Sequence, residues 1–390
     1  MISVAEALDH LFALARPLGT EDVDLRHATG RVLAADAVAL RTQPPFASSA
    51  MDGYAVRADA AVPGACFDVI GEAAAGHQFT GSVAPGQAVR IFTGAPLPAG
   101  TDRVVIQEDA TRRDDRITLG ESLDGQTYVR PAGSDFAAGT RLGAPRRLSA
   151  SDVALLAAMN LPRITVTRKP VVAILATGDE LVMPGEAPAP DQIVASNAFG
   201  LAGLLDAAGA APRLLPIARD TRESLASAIA LADGADLLVT IGGASVGDHD
   251  LVAEATETAG MERAFYKVAM RPGKPLMAGR LNDMAMIGLP GNPVSAMVCG
   301  EIFVRPVIDA MLGLPRAARA TRSAQLAADL PANGPREHYM RASLGPEGVT
   351  AFSRQDSSLL TVLSDANCLL VRPPRDPALA AGTVVRIIAL

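Results

Sequence analysis

The 390-residue chain contains no tryptophan, and aromatic residues make up only 4% of it. Its cores must therefore be built from Ala, Val, Leu and Ile, within a hydrophobic content of 49%. Cysteine is scarce as well. Cys66, Cys299 and Cys368 are odd in number and far apart, and no CxxC or Cys/His cluster occurs. That pattern supports neither a disulfide framework nor a zinc site. An excess of positive charge is also missing: the formal net charge is −7, with acidic and basic residues mixed. A general nucleic-acid binder carries a basic field, so no nucleic-acid partner is expected, although a locally basic pocket could still take a small anion. No apolar run is long enough to span a membrane. The chain starts with a helix and not with a signal, because Ser3 and Glu6 form an S-x-x-E capping box ahead of Val4, Leu8, Leu11 and Phe12. The expected location is cytoplasmic, with no membrane partner.

A chain of this length exceeds what one hydrophobic core usually organises. We expect four regions. Residues 1–43 and 143–169 read as one discontinuous helical and linking domain, with a second capped helix starting at Ser149 and Asp152. Residues 44–142 read as an inserted β module, with short β-like runs at 67–70, 88–92, 103–107 and 127–130 separated by Pro-Gly turns. Residues 170–315 alternate. Strand-like runs at 171–175, 214–217, 236–241, 264–269 and 285–289 interleave with helical runs at 198–208, 222–232, 250–259 and 294–311. Such alternation predicts a doubly wound, mainly parallel α/β domain. Residues 316–390 are again β-like and predict a C-terminal β-barrel-like domain.

Open α/β sheets bind ligands outside the carboxyl ends of their strands. Four loops of the third region should lie there. Thr177-Gly178-Asp179-Glu180 offers two carboxylates beside a glycine, which suits a hard cation or is simply a solvated turn. Gly242-Gly243-Ala244-Ser245-Val246-Gly247-Asp248-His249-Asp250 offers glycine-lined backbone donors and Ser245 to an oxyanion. Asp248 and Asp250 could hold a metal or cap the next helix. Arg271-Pro272-Gly273-Lys274-Pro275, with Lys267 upstream, is a compact group of cations fit for an anion, although Lys267 alone could be an ordinary surface lysine. Pro290-Gly291-Asn292-Pro293 is a capped helix start, which either receives an anion or is a plain strand-to-helix junction. The combination of carboxylates, cations and glycine-lined donors predicts a phosphorylated ligand with a divalent cation. The nucleotide signatures G-x-x-x-x-G-K-[ST] and G-x-G-x-x-G are both absent. In the β module, polar residues stand beside glycines in Ser49-Ala50-Met51-Asp52-Gly53-Tyr54-Ala55, Arg90-Ile91-Phe92-Thr93-Gly94-Ala95 and Arg130-Pro131-Ala132-Gly133-Ser134-Asp135.

The strings PPFASSAMDGYA, RIFTGAPLPAG, TGDEL, IGGASVGDHD, RPGKP and LPGNPVSA occur in one order along the chain. In these the chain resembles the molybdopterin molybdenumtransferase family, which includes MoeA and the E domain of gephyrin. The resemblance implies insertion of molybdenum from molybdate into adenylylated molybdopterin, with Mg²⁺ and release of AMP. It implies a four-domain homodimer whose active site, at the mouth of the third domain, is completed by the partner's β module. Contact with proteins of molybdopterin synthesis and delivery is a further expectation. The family's functional positions fall on Asp52, Thr93, Asp135, Glu180, Asp250, Lys267, Arg271, Pro290 and Pro293. Our reading of the loops adds Asp179 and Asp248 with Glu180 and Asp250 for metal, and Gly242, Gly243, Ser245, Gly247, Lys274, Gly291 and Asn292 for the substrate. Three departures from the family pattern stand out: Ala47-Ser48 in place of Asp-Asn, Ser134 where Glu is frequent, and Arg271 where Lys is common. Gln355-Asp356-Ser357-Ser358 departs from a commoner glycine-serine pattern and receives no role. Two competitors remain: a molybdopterin adenylyltransferase, whose single domain resembles region three, and a non-catalytic gephyrin-like scaffold.

Overall fold

The structure is a computed structural model that describes residues 1–243 and 251–390. Local chemistry sets the first helix, Val4–Leu14. Ser3 Oγ accepts the Glu6 N–H at 3.1 Å, and the Glu6 carboxylate takes the Ser3 N–H at 2.7 Å. Its apolar stripe of Val4, Ala7, Leu8, Leu11 and Phe12 packs into the core of the α/β region. The second helix, Ala150–Ala158, repeats the capping box with Ser149 and Asp152. It packs in a different core, with Leu33, Leu148, Met159, Ile164 and Val166. The strands Thr20–Asp24 and Val32–Leu33 join Arg146–Arg147 and Arg163–Thr167 in one antiparallel sheet. Chain segments on either side of the β module thus meet in a single sheet.

The β module carries a six-stranded sheet ordered Arg103–Ile106, Gly53–Val56, Gln87–Ile91, Cys66–Ala73, Arg116–Leu119 and Ala110–Arg113. Apolar clusters cover both of its faces.

In the α/β region the sheet order is Ala211–Leu214, Val171–Ala176, Leu237–Ile241, Met284–Leu289, Met277–Leu281 and Met261–Tyr266. The first four strands are parallel; the last two join antiparallel. VVAILA and LLVTI are apolar without alternation because helices cover both faces, and nearly every residue in them is buried. Helices Asn197–Ala207, Arg222–Ala230 and Leu251–Thr258 complete the layers, with a long helical segment that runs from Pro293–Cys299 through a π-turn at Gly300–Val304 into Arg305–Met311. The expected doubly wound architecture is present, with three corrections. Met277–Leu281 was not foreseen, the strand expected at 214–217 lies at Ala211–Leu214, and the strand expected at 264–269 lies at Met261–Tyr266, where its partner is the antiparallel Met277–Leu281.

The C-terminal sheet is ordered Met270–Arg271, Glu337–Gly345, Cys368–Arg372, Val384–Ala389 and Arg322–Gln325, with Gly348–Ala351 pairing Glu337–Gly345. A bridge from Leu326 to Val349 joins its far edges, giving the barrel-like closure that was expected. Its first strand, Met270–Arg271, belongs in sequence to the α/β region and pairs in parallel with Glu337 and His338. Among the described residues, no helix is long and apolar enough to cross a membrane.

Candidate active site

At the carboxyl ends of the parallel strands lies a cleft of about 750 Å³. Thr177, Gly178 and Glu180 line it after the first strand, Gly242 and Gly243 after the third, and Pro290 to Pro293 after the fourth. Backbone hydrogen bonds hold these loops in register: Thr177 N–H to Ile241 O at 3.0 Å, and Gly242 N–H to Leu289 O at 3.1 Å. Gly242 has φ +95°, and a Cβ there would lie 2.7 Å from the Thr177 carbonyl, so only glycine lets the two loops approach. Gly178, at φ +145°, is folded under the Glu180 carboxylate in the same way. The Asp179 carboxylate accepts the Asp220 N–H at 3.2 Å, and Arg219 donates to the carbonyls of Asp179 and Leu181 at 3.0 and 3.2 Å. Asn197 donates to Gly291 O at 2.7 Å. Asn292 precedes the helix start without a side-chain capping bond, and the Val294 N–H is taken by Ser357 O at 3.0 Å. The C-terminal domain therefore closes part of that helix end, and its Ser358 forms a wall of the cleft.

Behind Ser358 sits a group of arginines. Arg341 is fully buried; its Nη2 donates to Asp356 O at 2.9 Å, while Nε and Nη1 have no partner. Burial, with the nearby Arg271 charge, pulls its pKa below the ordinary guanidinium value. His338, paired in register with Arg271, is also buried, and its Nε2 has no partner. Burial, then the charges of Arg271, Arg341, Arg372 and Arg336, push its pKa down to about 4.

On the β module a second group forms. Asp52 Oδ1 accepts both the Thr93 N–H at 2.8 Å and the Thr93 hydroxyl at 2.7 Å. These bonds, helped by the Arg90 charge, hold its carboxyl below the usual range. Arg90 is itself fixed between the Tyr54 and Phe92 rings, 5.1 and 4.8 Å from their centroids, and donates to Gly53 O and Gln107.

Three family profiles match the chain end to end: the MoeA N-terminal region (domain I and II) at residues 2–160, a probable molybdopterin binding domain at 173–310, and the MoeA C-terminal region (domain IV) at 323–390. Similar curated proteins include molybdopterin molybdenumtransferases of Nostoc sp., 36% identical over 100% of this chain and 94% of that protein, and of Bacillus subtilis, 33% identical over 100% and 94%. A solved molybdopterin biosynthesis MoeA protein of Pyrococcus horikoshii superposes with a TM-score of 0.85, at 27% identity over 100% of both chains. The chain belongs to the molybdopterin molybdenumtransferase family.

For this MoeA-family chain the structure brings together Glu180, Gly242, Gly243, Pro290, Gly291, Asn292 and Pro293 in the cleft. Asp179 turns to the Asp220 backbone. Lys267 stacks on Tyr266, its Nζ 4.9 Å from the ring centroid. Arg271 joins the arginine group, and Lys274 is exposed on the loop whose Pro275 lines the cleft. Asp52, Thr93 and Asp135 do not line the cleft of their own chain. Ser245, Gly247, Asp248 and Asp250 lie outside the described residues. Among those described, no three His, Cys, Asp or Glu side chains converge as a metal site. Sequence reasoning missed Thr177, Asn197, Asp220, Arg341 and Ser358. The signal for Thr177 and Asp220 was position beyond a strand end; nothing local marked Arg341 or Ser358.

Proposed function

We propose that this protein inserts molybdenum from molybdate into adenylylated molybdopterin and releases AMP. The observation that carries the reading is the junction of two features: a glycine-floored cleft at the strand ends with Ser358 in its wall, and the buried Arg341, bonded to the Asp356 carbonyl and with Nε and Nη1 unpartnered. The first fits a phosphorylated pterin, whose phosphate can approach the side-chain-free backbone of Gly242 and Gly243 closely. The second fits molybdate, a dianion that would satisfy the free N–H groups of Arg341 and draw on Arg271 and Lys274. Lys267 is assigned to the same charge balance. The dithiolate that receives the metal belongs to the substrate, so no protein cysteine is required, and Cys299 is a buried thiol that burial keeps neutral.

Mg²⁺ fits the donor chemistry of the Glu180 rim, where exposed carboxylate oxygens stand beside the cleft. We assign it to Glu180 with Asp248, Asp250 and Asp179. Two described carboxylates do not make a complete site, which suits an ion that keeps waters and shares the substrate's phosphates. When bound, it would polarise the phosphoanhydride. Asp52, Thr93 and Asp135 we place in the same site from a second subunit, in a homodimer. Cytoplasmic location and contact with proteins that make or deliver molybdopterin belong to this reading as well. The adenylyltransferase and scaffold alternatives are not favoured, since relatives similar along the whole chain carry the transferase name.

The test supplies purified protein with adenylylated molybdopterin, molybdate and Mg²⁺ and follows AMP. Release well above the rate without protein is expected. Release at that background rate refutes the activity.

A further inference from the structure

Three neighbouring strands of the β module meet at Asp52. Gly53–Val56 runs antiparallel to both Gln87–Ile91 and Arg103–Ile106, so its start lies beside their ends. Asp52, Thr93 and Gln107 thereby share one edge of the sheet. Asp52 is held there from two sides: Oδ1 accepts the Thr93 N–H and hydroxyl, and its carbonyl accepts the Gln107 N–H at 3.1 Å. Among the described residues its Oδ2 has no hydrogen-bond partner. A Cβ on Gly53 would collide with Val105 O, so only glycine lets the strands close up at this point. Arg90 spans the same edge. Its Nη1 donates to Gly53 O at 3.2 Å and its Nη2 to Gln107 Oε1 at 2.7 Å. It therefore links its own strand to the residue after Asp52 and to the end of the third strand. Neither acceptor is charged, so the guanidinium serves geometry here and not ion pairing. Tyr54 is its cross-strand neighbour and Phe92 lies two residues on, and the guanidinium sits over both rings. A planar fork held against two rings has lost most of its freedom before either bond forms.

We propose that Arg90 is a positioning residue for Asp52: its guanidinium braces the strand ends that fix the Asp52 peptide, and so keeps the carboxylate seated on Thr93 with Oδ2 left for the substrate. This rests on the reading that Asp52 takes part in the reaction. A carboxylate on an unbraced bend would sample many orientations, whereas one held from two sides is already arranged for its task. The difference matters because misplacing a reacting group by about 1 Å can cost about 100-fold in rate. The Arg90 charge also favours the ionised carboxylate, to a smaller degree than the Thr93 bonds do.

Two variants separate the brace from packing and from charge. Arg90→Met fills the space beside the rings and removes both bonds, and Arg90→Lys keeps a cation without the planar fork. Amide hydrogen exchange, read by NMR, reports the brace without any substrate. In Arg90→Met the Thr93 and Gln107 amides, the two that donate to Asp52, should exchange about tenfold faster, the worth of one hydrogen bond. The Val69 and Leu119 amides, bonded to Asp115 O and Ala65 O elsewhere in the module, should keep their wild-type rates. Wild-type exchange at Thr93 and Gln107 overturns the proposal, and so does equal acceleration at all four amides, which marks general loosening. AMP release tests the consequence. In Arg90→Met, kcat should fall about tenfold with KM for adenylylated molybdopterin within about twofold of wild type, and kcat of Arg90→Lys should stay about threefold or more below wild type. An unchanged kcat in Arg90→Met, a loss confined to KM, or full recovery in Arg90→Lys overturns the positioning role. If the wild type releases no AMP, the proposed reaction fails, and the exchange rates alone decide whether Arg90 seats Asp52.

Discussion

Acidification should weaken the fold through one histidine. His338 is 7% exposed, in register with Arg372 on one neighbouring strand and Arg271 on the other. Burial disfavours its charged form, and Arg271, Arg341, Arg372 and Arg336 repel a further proton, so its pKa falls to about 4. The nearby carboxylates do not offset this. Asp376 is committed to Arg372 at 2.5 Å, and Asp356 accepts from Ser358. The imidazole is therefore neutral in the folded protein at any pH above about 4. In the unfolded chain it titrates near 6.5. Above that value both states carry the same charge, and stability is complete. Between about 6.5 and about 4 the unfolded chain takes up a proton that the folded chain refuses, so stability falls as pH falls. The full span is worth about 3 kcal/mol, and about 2 kcal/mol of it is gone by pH 5. Urea unfolding of wild type, His338→Phe and His338→Gln from pH 7.5 to pH 4.5 isolates the effect. Other titrating groups are common to all three and cancel in the difference. Wild type should lose about 2 kcal/mol relative to either variant on going to pH 5. Parallel curves, or a wild type that gains on acidification, would refute the reasoning.

Two other outcomes follow from the same structure. Arg341→Met removes a fully buried cation with two unpartnered nitrogens, so it should leave the unfolding midpoint unchanged or raised. Calorimetric titration with molybdate should show binding weaker by about 10- to 100-fold, the value of a charge-assisted hydrogen bond, and unchanged affinity would remove Arg341 from the site. Asp52→Ala and Glu180→Ala should each be inactive in AMP release, yet mixing the two should restore activity if each site takes Asp52 from one subunit and Glu180 from the other. Random re-association makes half the dimers mixed with one intact site each, so about a quarter of wild-type turnover should return, and none returning contradicts the shared site.

Much of the fold could be read from the chain because the decisive interactions are local. The capping boxes at Ser3 and Ser149 need only residues three apart, and both are formed. The parallel strands announce themselves as unbroken apolar runs, since burial on both faces removes any reason to alternate. Met277–Leu281 escaped for the opposite reason. Its sequence, MAGRL, includes a glycine and an arginine, and its place is set by pairing with Met284–Leu289 across Asn282-Asp283. Asn282, at φ +54°, was the available sign of that two-residue turn. The strand Met270–Arg271 could not be read at all as part of the C-terminal sheet, because its partners lie more than sixty residues away.

The site divides along the same line. Loops that follow strands were legible, since strand-end position and glycine content are properties of short strings; Glu180, Gly242, Gly243 and Pro290 to Pro293 do meet in one cleft. Residues that act by being buried without partners were not. Arg341 looks ordinary in sequence, and its significance comes from what the fold withholds from it. The same holds for Ser358, which was given no role because its string matched no pattern, yet which reaches the cleft because Ser357 O accepts the Val294 N–H. That bond and the Arg271–His338 pairing tie the C-terminal domain to two separate loops of the α/β region. The domain is thereby fixed as a wall of the cleft, and a sequence reading that treats it as an independent appendage misses half of the anion-binding surface we propose.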